Sequence, residues 1–163
     1  MNGDGRPGAG VAVRLFTYGT LQAPELMAAL IGRPLIPRPA VVDGFIARAV
    51  AGESYPAMIR AEPGQRVTGQ LYEKLRAEDW AVLDSFEGEP YERARVSVHV
   101  LDAAEGLDAC CYLYPSAARN ALASNGWSLE AFRETCLEQY LDIGRRVRER
   151  WLAAERQRMR TDG

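Results

Sequence analysis

Two periodicities divide this chain. Residues 67–72 (Val-Thr-Gly-Gln-Leu-Tyr) alternate inward and outward positions and predict a strand. Residues 91–101 do the same, with Val96, Val98 and Val100 set against polar neighbours, and predict a second. Gly106 falls in a turn, residues 108–114 form the hairpin partner, and Pro115 ends it. Residues 11–18 have the β-branched and aromatic character of a first strand that stops at Gly19, and 57–60 read as a short strand before the turn Glu62-Pro63-Gly64. The segment 35–50 contains Pro37, Pro39 and Gly44 and predicts irregular extended structure rather than a central strand.

The other period is helical. Pro24 suits a first turn, so 24–31 predicts a short helix stopped by Gly32. Residues 77–86 place Trp80, Leu83 and Phe86 on one apolar face. After the turn at Asn125-Gly126, Leu129, Phe132, Cys136, Tyr140, Ile143, Val147 and Trp151 recur at spacings of three and four. They predict a single amphipathic helix over 129–155, roughly 40 Å long at 1.5 Å per residue. Its distal end carries Arg145, Arg146, Arg148, Arg150, Arg156, Arg158 and Arg160. A solvated basic face near a helix C-terminus accounts for them; a contact surface for another subunit or an acidic partner is the alternative.

Composition narrows the function classes. With 163 residues, 47% of them hydrophobic, the chain has enough apolar material for one domain with a sizeable core. No apolar run approaches the roughly 20 residues of a membrane span, and the Gly-rich start lacks the apolar segment of a signal peptide, so a cytoplasmic setting is expected. A net charge of −2 argues against a nucleic-acid binder. Cys110, Cys111 and Cys136 match neither metal-ligand spacing nor a disulfide framework and read as small buried apolar residues. His99 is the only histidine and is expected on the solvent side of its strand, which excludes a histidine-rich metal site.

Candidate chemistry concentrates in residues 84–93. Glu87 follows the apolar face of the 77–86 helix, where the chain meets Gly88. Beside Phe86 it is expected to sit in a partly dry place, which raises a carboxyl's pKa and suits it to proton transfer near neutrality. The turn Tyr18-Gly19-Thr20-Leu21 is expected to present consecutive N–H groups to an anion. It contains no phosphate-binding lysine motif and no GxGxxG. Glu89 and Glu92 read as solvated.

Phe16-Thr17-Tyr18-Gly19-Thr20-Leu21, Tyr55-Pro56-Ala57, Val67 to Tyr72, Leu83-Asp84-Ser85-Phe86-Glu87-Gly88 and Tyr91-Glu92-Arg93 occur together and in this order. In this the chain resembles the γ-glutamylcyclotransferase-like superfamily, which includes γ-glutamylamine cyclotransferases, plant avirulence-induced proteins and the butirosin-pathway cyclotransferase. The resemblance implies an α+β fold, a compact and mostly antiparallel β-barrel with packed helices, to which periodicity adds the long C-terminal helix. The expected organisation is a disordered leader over 1–11, the barrel over 12–118 and a helical extension packed on it over 119–158. The resemblance also implies intramolecular acyl transfer: the α-amine of a γ-glutamyl group attacks its own γ-carbonyl, closing 5-oxoproline and expelling an amine or amino acid. It assigns Glu87 as the catalytic general acid/base and Tyr18, Gly19, Thr20 and Leu21 as the substrate-binding turn. Tyr91 and Arg93 are further substrate-binding candidates, with core packing for Tyr91 and bracing of Asp84 or Glu87 by Arg93 left open. Tyr55-Pro56 is expected at the pocket rim. No metal or cofactor is implied; the implied partner is a small γ-glutamyl compound, and self-association is open. The alternative is a non-catalytic binding module of the same fold, acting through its arginine-rich helix.

Overall fold

A computed structural model describes residues 13–163, so the leader expected over 1–11 lies outside the described residues. Five strands close into a barrel in the order β1 (Leu15–Thr17), β5 (Arg66–Tyr72), β2 (Arg38–Asp43), β6 (Glu92–Val100) and β7 (Glu105–Leu113). Four of the pairings are antiparallel, and the fifth, between β7 and β1, is parallel at Leu15 and Cys110. The remaining strands, β3 (Phe45–Ala49) and β4 (Pro56–Arg60), form a separate antiparallel hairpin. Among the described residues four α-helices accompany the strands: α1 (Pro24–Ile31), α2 (Ala77–Glu87), α3 (Leu129–Thr135) and α4 (Leu137–Thr161). This is the mostly antiparallel barrel with packed helices that the family resemblance implies.

Strand alternation supplies two cores back to back. Phe16, Ala40, Val42, Leu71, Val98 and Cys111 fill one, within the barrel. Their neighbours Leu15, Tyr72 and Cys110 belong to the other, which they share with Leu26, Met27 and Leu30 of α1, Trp80 and Leu83 of α2, and Val147 of α4. The adjacent cysteines therefore serve different cores, and both are buried. His99 is exposed, on the solvent side of β6.

Three expectations are corrected. Gly106 lies within β7, opposite His99, and the turn before it falls at residues 101–104. Residues 38–43 are a strand hydrogen-bonded on both sides, to β5 and to β6. Its prolines mark the beginning rather than interrupting the middle: Pro37 precedes the strand, Pro39 is its second residue, and the Pro39 carbonyl accepts a bond from the Leu101 N–H at 3.0 Å. Gly44, at φ +84°, follows the strand and turns the chain into β3. The single C-terminal helix is in fact two, because the backbone leaves helical geometry at Cys136 (φ −126°, ψ −14°). The hydroxyl of Thr135 donates to the Ala131 carbonyl at 2.7 Å, a back-bond that weakens a helix at that point.

α4 packs against α1 and α2. At the contact with α1 stands Gly144, where a Cβ would come within 3.1 Å of Leu26 Cδ1. One turn further on, the Arg148 guanidinium lies over Gly32 and donates to the Leu30 carbonyl at 3.2 Å, closing the C-terminus of α1 with a cation. This arginine is structural, whereas Arg145 and Arg158 pair with Asp142 and Glu155 on the surface of their own helix. Among the described residues no helix is long and apolar enough to cross a membrane.

Closure leaves no room at Gly69. A Cβ there would lie 2.0 Å from the Thr17 carbonyl oxygen on the neighbouring strand, an atom that cannot move without opening the barrel. Gly69→Ala is therefore expected to lose more than about 3 kcal/mol in urea unfolding. Gly126→Ala, where a Cβ meets nothing within 4 Å, is expected to stay within about 0.5 kcal/mol of wild type. A wild-type midpoint for Gly69→Ala would contradict the proposed closeness of β1 and β5.

Candidate active site

The site begins where β1 ends. Gly19 has a negative φ (φ −128°, ψ −135°), so its role is space: a Cβ would stand 2.9 Å from Pro56 Cγ. The chain then makes a single 3-10 turn over Thr20–Gln22, in which the Gln22 N–H donates to Gly19 O at 3.0 Å and the Ala23 N–H to Thr20 O at 3.2 Å. The amides of Thr20 and Leu21 precede these donors, as first-turn amides do. Three side-chain bonds pin the segment. Thr17 Oγ1 donates to Gln70 O at 3.0 Å, the Tyr18 hydroxyl to Tyr112 O at 2.6 Å, and the Tyr72 hydroxyl to Leu21 O at 2.7 Å.

Glu87 is the last residue of α2. The helix stops because Gly88 takes φ +66°, and its N–H still donates to Asp84 O at 3.0 Å. Trp80, Val82 and Leu83 bury the inner face of the helix, and Phe86 and Glu87 are half-buried at its end. Loss of water around the carboxyl, with the negative charge of Asp84 one turn back as a second contribution, pushes the Glu87 pKa up to about 8. The same carboxyl acts on its neighbours. It adds to the burial that already raises the Tyr18 and Tyr91 hydroxyls and the Cys111 thiol. Cys111 is thus held in its protonated, unreactive form.

A cavity of 230 Å³ joins these elements. Tyr18, Gly19, Thr20 and Leu21 form one wall with Phe16 and Thr17, and Phe86 and Glu87 form another. Tyr55 and Pro56 stand at the edge, as expected of a rim, and Tyr91 also lines the space. The cavity lies just below the roughly 300–1,000 Å³ range of ligand sites, a size for a small metabolite.

Six of the seven candidate site residues therefore share one cavity, and Arg93 is set behind it. Its Nε lies 3.0 Å from Asp84 Oδ1, and its guanidinium sits over the Trp80 ring at 4.9 Å. Asp84 also accepts the Tyr112 hydroxyl at 2.7 Å, and Tyr112 does line the cavity. Of the arrangements left open for Arg93, the structure shows the bracing of Asp84. Glu89 and Glu92 are exposed and do not line the cavity.

Three lining residues lie outside the motifs that carry the resemblance: Tyr112, Tyr140 and Ile143. The last two come from α4. Tyr140 stands edge-on to Phe86 and Phe132, with ring centroids 6.4 and 4.9 Å away, and its hydroxyl bonds that of Ser54 at 2.7 Å. Both residues were visible on the apolar stripe of the C-terminal helix, but periodicity does not say that part of the stripe overhangs a cavity.

Comparison with known proteins places the chain beside one family. Residues 15–129 match the family described as gamma-glutamyl cyclotransferase, AIG2-like. AIG2-like protein C of Arabidopsis thaliana is 29% identical over 138 residues, which cover 85% of this chain and 79% of the relative. An Arabidopsis thaliana protein solved in solution superposes with a TM-score of 0.64 at 23% identity, covering 89% of this chain and 85% of its own. The crystal structure of an AIG2-like protein from Mus musculus gives 0.55 at 23% identity, covering 71% and 88%. At these identities the two structures speak for the fold.

The raised pKa of Glu87 has a consequence for stability. The folded state keeps this proton up to about pH 8, whereas the unfolded chain releases it near 4.5. Stability from this group is therefore complete below about 4.5 and is lost as pH rises through about 8. Glu87→Gln is expected to stabilise the protein at pH 8.5 by on the order of 2 kcal/mol, less than the whole shift because the residue keeps contact with solvent. Urea unfolding at several pH values measures this; identical slopes for variant and wild type between pH 5 and 8 would count against the burial of this carboxyl.

Proposed function

The chain belongs to the gamma-glutamyl cyclotransferase, AIG2-like family, and from that premise we propose that it releases 5-oxoproline from a γ-glutamyl amide by intramolecular acyl transfer. The observation that carries this reading is that Glu87, with its pKa near 8, and the turn from Gly19 to Leu21 face one small cavity.

In this reading the α-carboxylate of the γ-glutamyl group is held at the turn, by the amides of Thr20 and Leu21. Gly19 lets the backbone and Pro56 close around it. The α-ammonium is directed to Glu87. The ionised carboxylate takes one of its protons and frees the lone pair, which attacks the γ-carbonyl carbon. A C–N bond forms to close the five-membered ring. Protonated Glu87 then donates to the departing nitrogen as the old C–N bond breaks, and the regenerated carboxylate relays the second ring-nitrogen proton to solvent. An ordinary glutamic acid would be too strong an acid to hold the proton until that step; a pKa near neutrality suits both halves. Nucleophile and electrophile belong to one molecule, so orientation supplies much of the rate, and no protein nucleophile is needed.

Tyr91 contributes a wall and fixes the Pro56 carbonyl through its hydroxyl. Arg93 serves the site indirectly by holding Asp84, whose charge helps set the proton affinity of Glu87. In this reading the barrel and the helical segment that follows it work as one unit, because α4 completes the cavity.

Glu87→Gln is expected to lower kcat for 5-oxoproline release at least about 100-fold while the protein remains folded. Product formation is followed by mass spectrometry on a panel of γ-glutamyl amides. For wild type, kcat/KM should rise with pH and level off above about 8, since the base form of Glu87 starts the reaction. Near-full turnover by the variant would remove Glu87 from the chemistry.

A further inference from the structure

The tyrosines around the cavity have already committed their hydroxyls. Tyr18 donates to Tyr112 O, Tyr91 to Pro56 O and Tyr112 to Asp84 Oδ1. Tyr140 is bonded to Ser54, and Tyr55 shares a side-chain bond with Tyr114. Five aromatic rings thus present faces and edges rather than free polar ends. Among the described residues lining the cavity, Glu87 is the one formally charged at high pH, and no lysine or arginine faces the space.

The two polar features have work in the proposed reaction, the turn for the α-carboxylate and Glu87 for the amine. What remains for the leaving group is apolar and aromatic lining, with Phe86, Tyr91, Tyr140 and Ile143 on the side of α2 and α4 and Tyr55 and Pro56 at the rim. A second carboxylate placed among them would lose water without gaining a cation, which is costly. An apolar or aromatic group would gain contact instead.

We infer that this cavity selects γ-glutamyl amides whose leaving amine is apolar and carries no carboxylate, and that Tyr140 and Ile143 of α4 are the residues that make the selection. The inference rests on the cyclotransferase reading for the placement of the γ-glutamyl end. Both residues lie beyond residues 15–129, the part that matches the family, so the feature belongs to the C-terminal helix. Their position is rigidly set. Gly144 packs next to Ile143 against α1, Val147 is buried one turn on, and Tyr140 is held by Ser54 and wedged against Phe86 and Phe132.

A matched pair of compounds tests this with the full chain. γ-Glutamyl-phenethylamide and γ-glutamyl-phenylalanine differ only by the leaving group's carboxylate. We expect kcat/KM for 5-oxoproline release to favour the phenethylamide by at least about tenfold, and calorimetric Kd values with Glu87→Gln to follow the same order. Ile143→Arg should narrow the gap to less than about threefold by supplying a cation. Ile143→Ala, a milder change, should raise KM for the phenethylamide while leaving γ-glutamyl-methylamide nearly unaffected. Equal turnover of the matched pair would overturn the inference and leave the cyclotransferase reading standing. Selective binding without release from any compound would overturn that reading and support the selectivity. Absence of binding by both compounds would overturn the inference.

Discussion

β1 is only three residues long, yet it joins two edges of the sheet, pairing antiparallel with β5 and parallel with β7. A strand this short closes a barrel only if its neighbours approach without obstruction, and Gly69 provides that approach under Thr17. Closure then fixes everything that follows β1. The chain leaves the barrel at Tyr18, whose hydroxyl is tied to β7, and turns at Gly19 under Pro56. The turn is bound again at Leu21 by Tyr72 of β5. The barrel's tightest point and the cavity wall are parts of one continuous segment, so the site inherits the rigidity of the closure.

Opposite that wall, the end of α2 is built for a carboxyl of unusual proton affinity. Gly88 stops the helix where Glu87 reaches the cavity, and burial works against its charge. Asp84 lies on the same helix one turn back, and its negative charge adds to the effect. Asp84 is held in turn by Arg93 and Tyr112. A basic side chain therefore sits near the site without neutralising Glu87, because its partner is the neighbouring carboxylate. This division of labour keeps the cavity free of cations while its acid stays responsive near neutral pH.

The C-terminal helices have two physical roles. Gly144, Val147 and Arg148 lock α4 to α1, and Arg148 closes the end of that helix. The preceding turn of α4 carries Tyr140 and Ile143 over the cavity. The break at Cys136 separates α3 from α4 and lets Phe132 pack against the same tyrosine. α4 thereby supplies a part of the cavity that lies outside the shared family segment.

Much of this was legible in the residues. The alternation of 67–72 and 91–101, the Pro24 start and the Gly32 stop each rest on local steric and solvation preferences, and the corresponding elements formed. Glu87 at the end of an apolar helical face and Gly19 after a strand were likewise visible as a candidate acid and a candidate turn. Local rules failed where the outcome depended on distant partners. Pro39 suggested a non-strand, but β5 and β6 supply ladder bonds around it that one segment cannot announce. The stripe through Tyr140 and Ile143 declared an apolar face without naming what it would cover. Arg93 declared a charge, and only the fold chose Asp84 as its partner. By itself the sequence determined which residues carry helical or strand period and which can hold a proton, since these follow from side-chain chemistry and near neighbours in the chain. Tertiary structure alone decided that turn, acid and helix meet around one cavity, because burial and charge pairing arise between residues far apart in sequence.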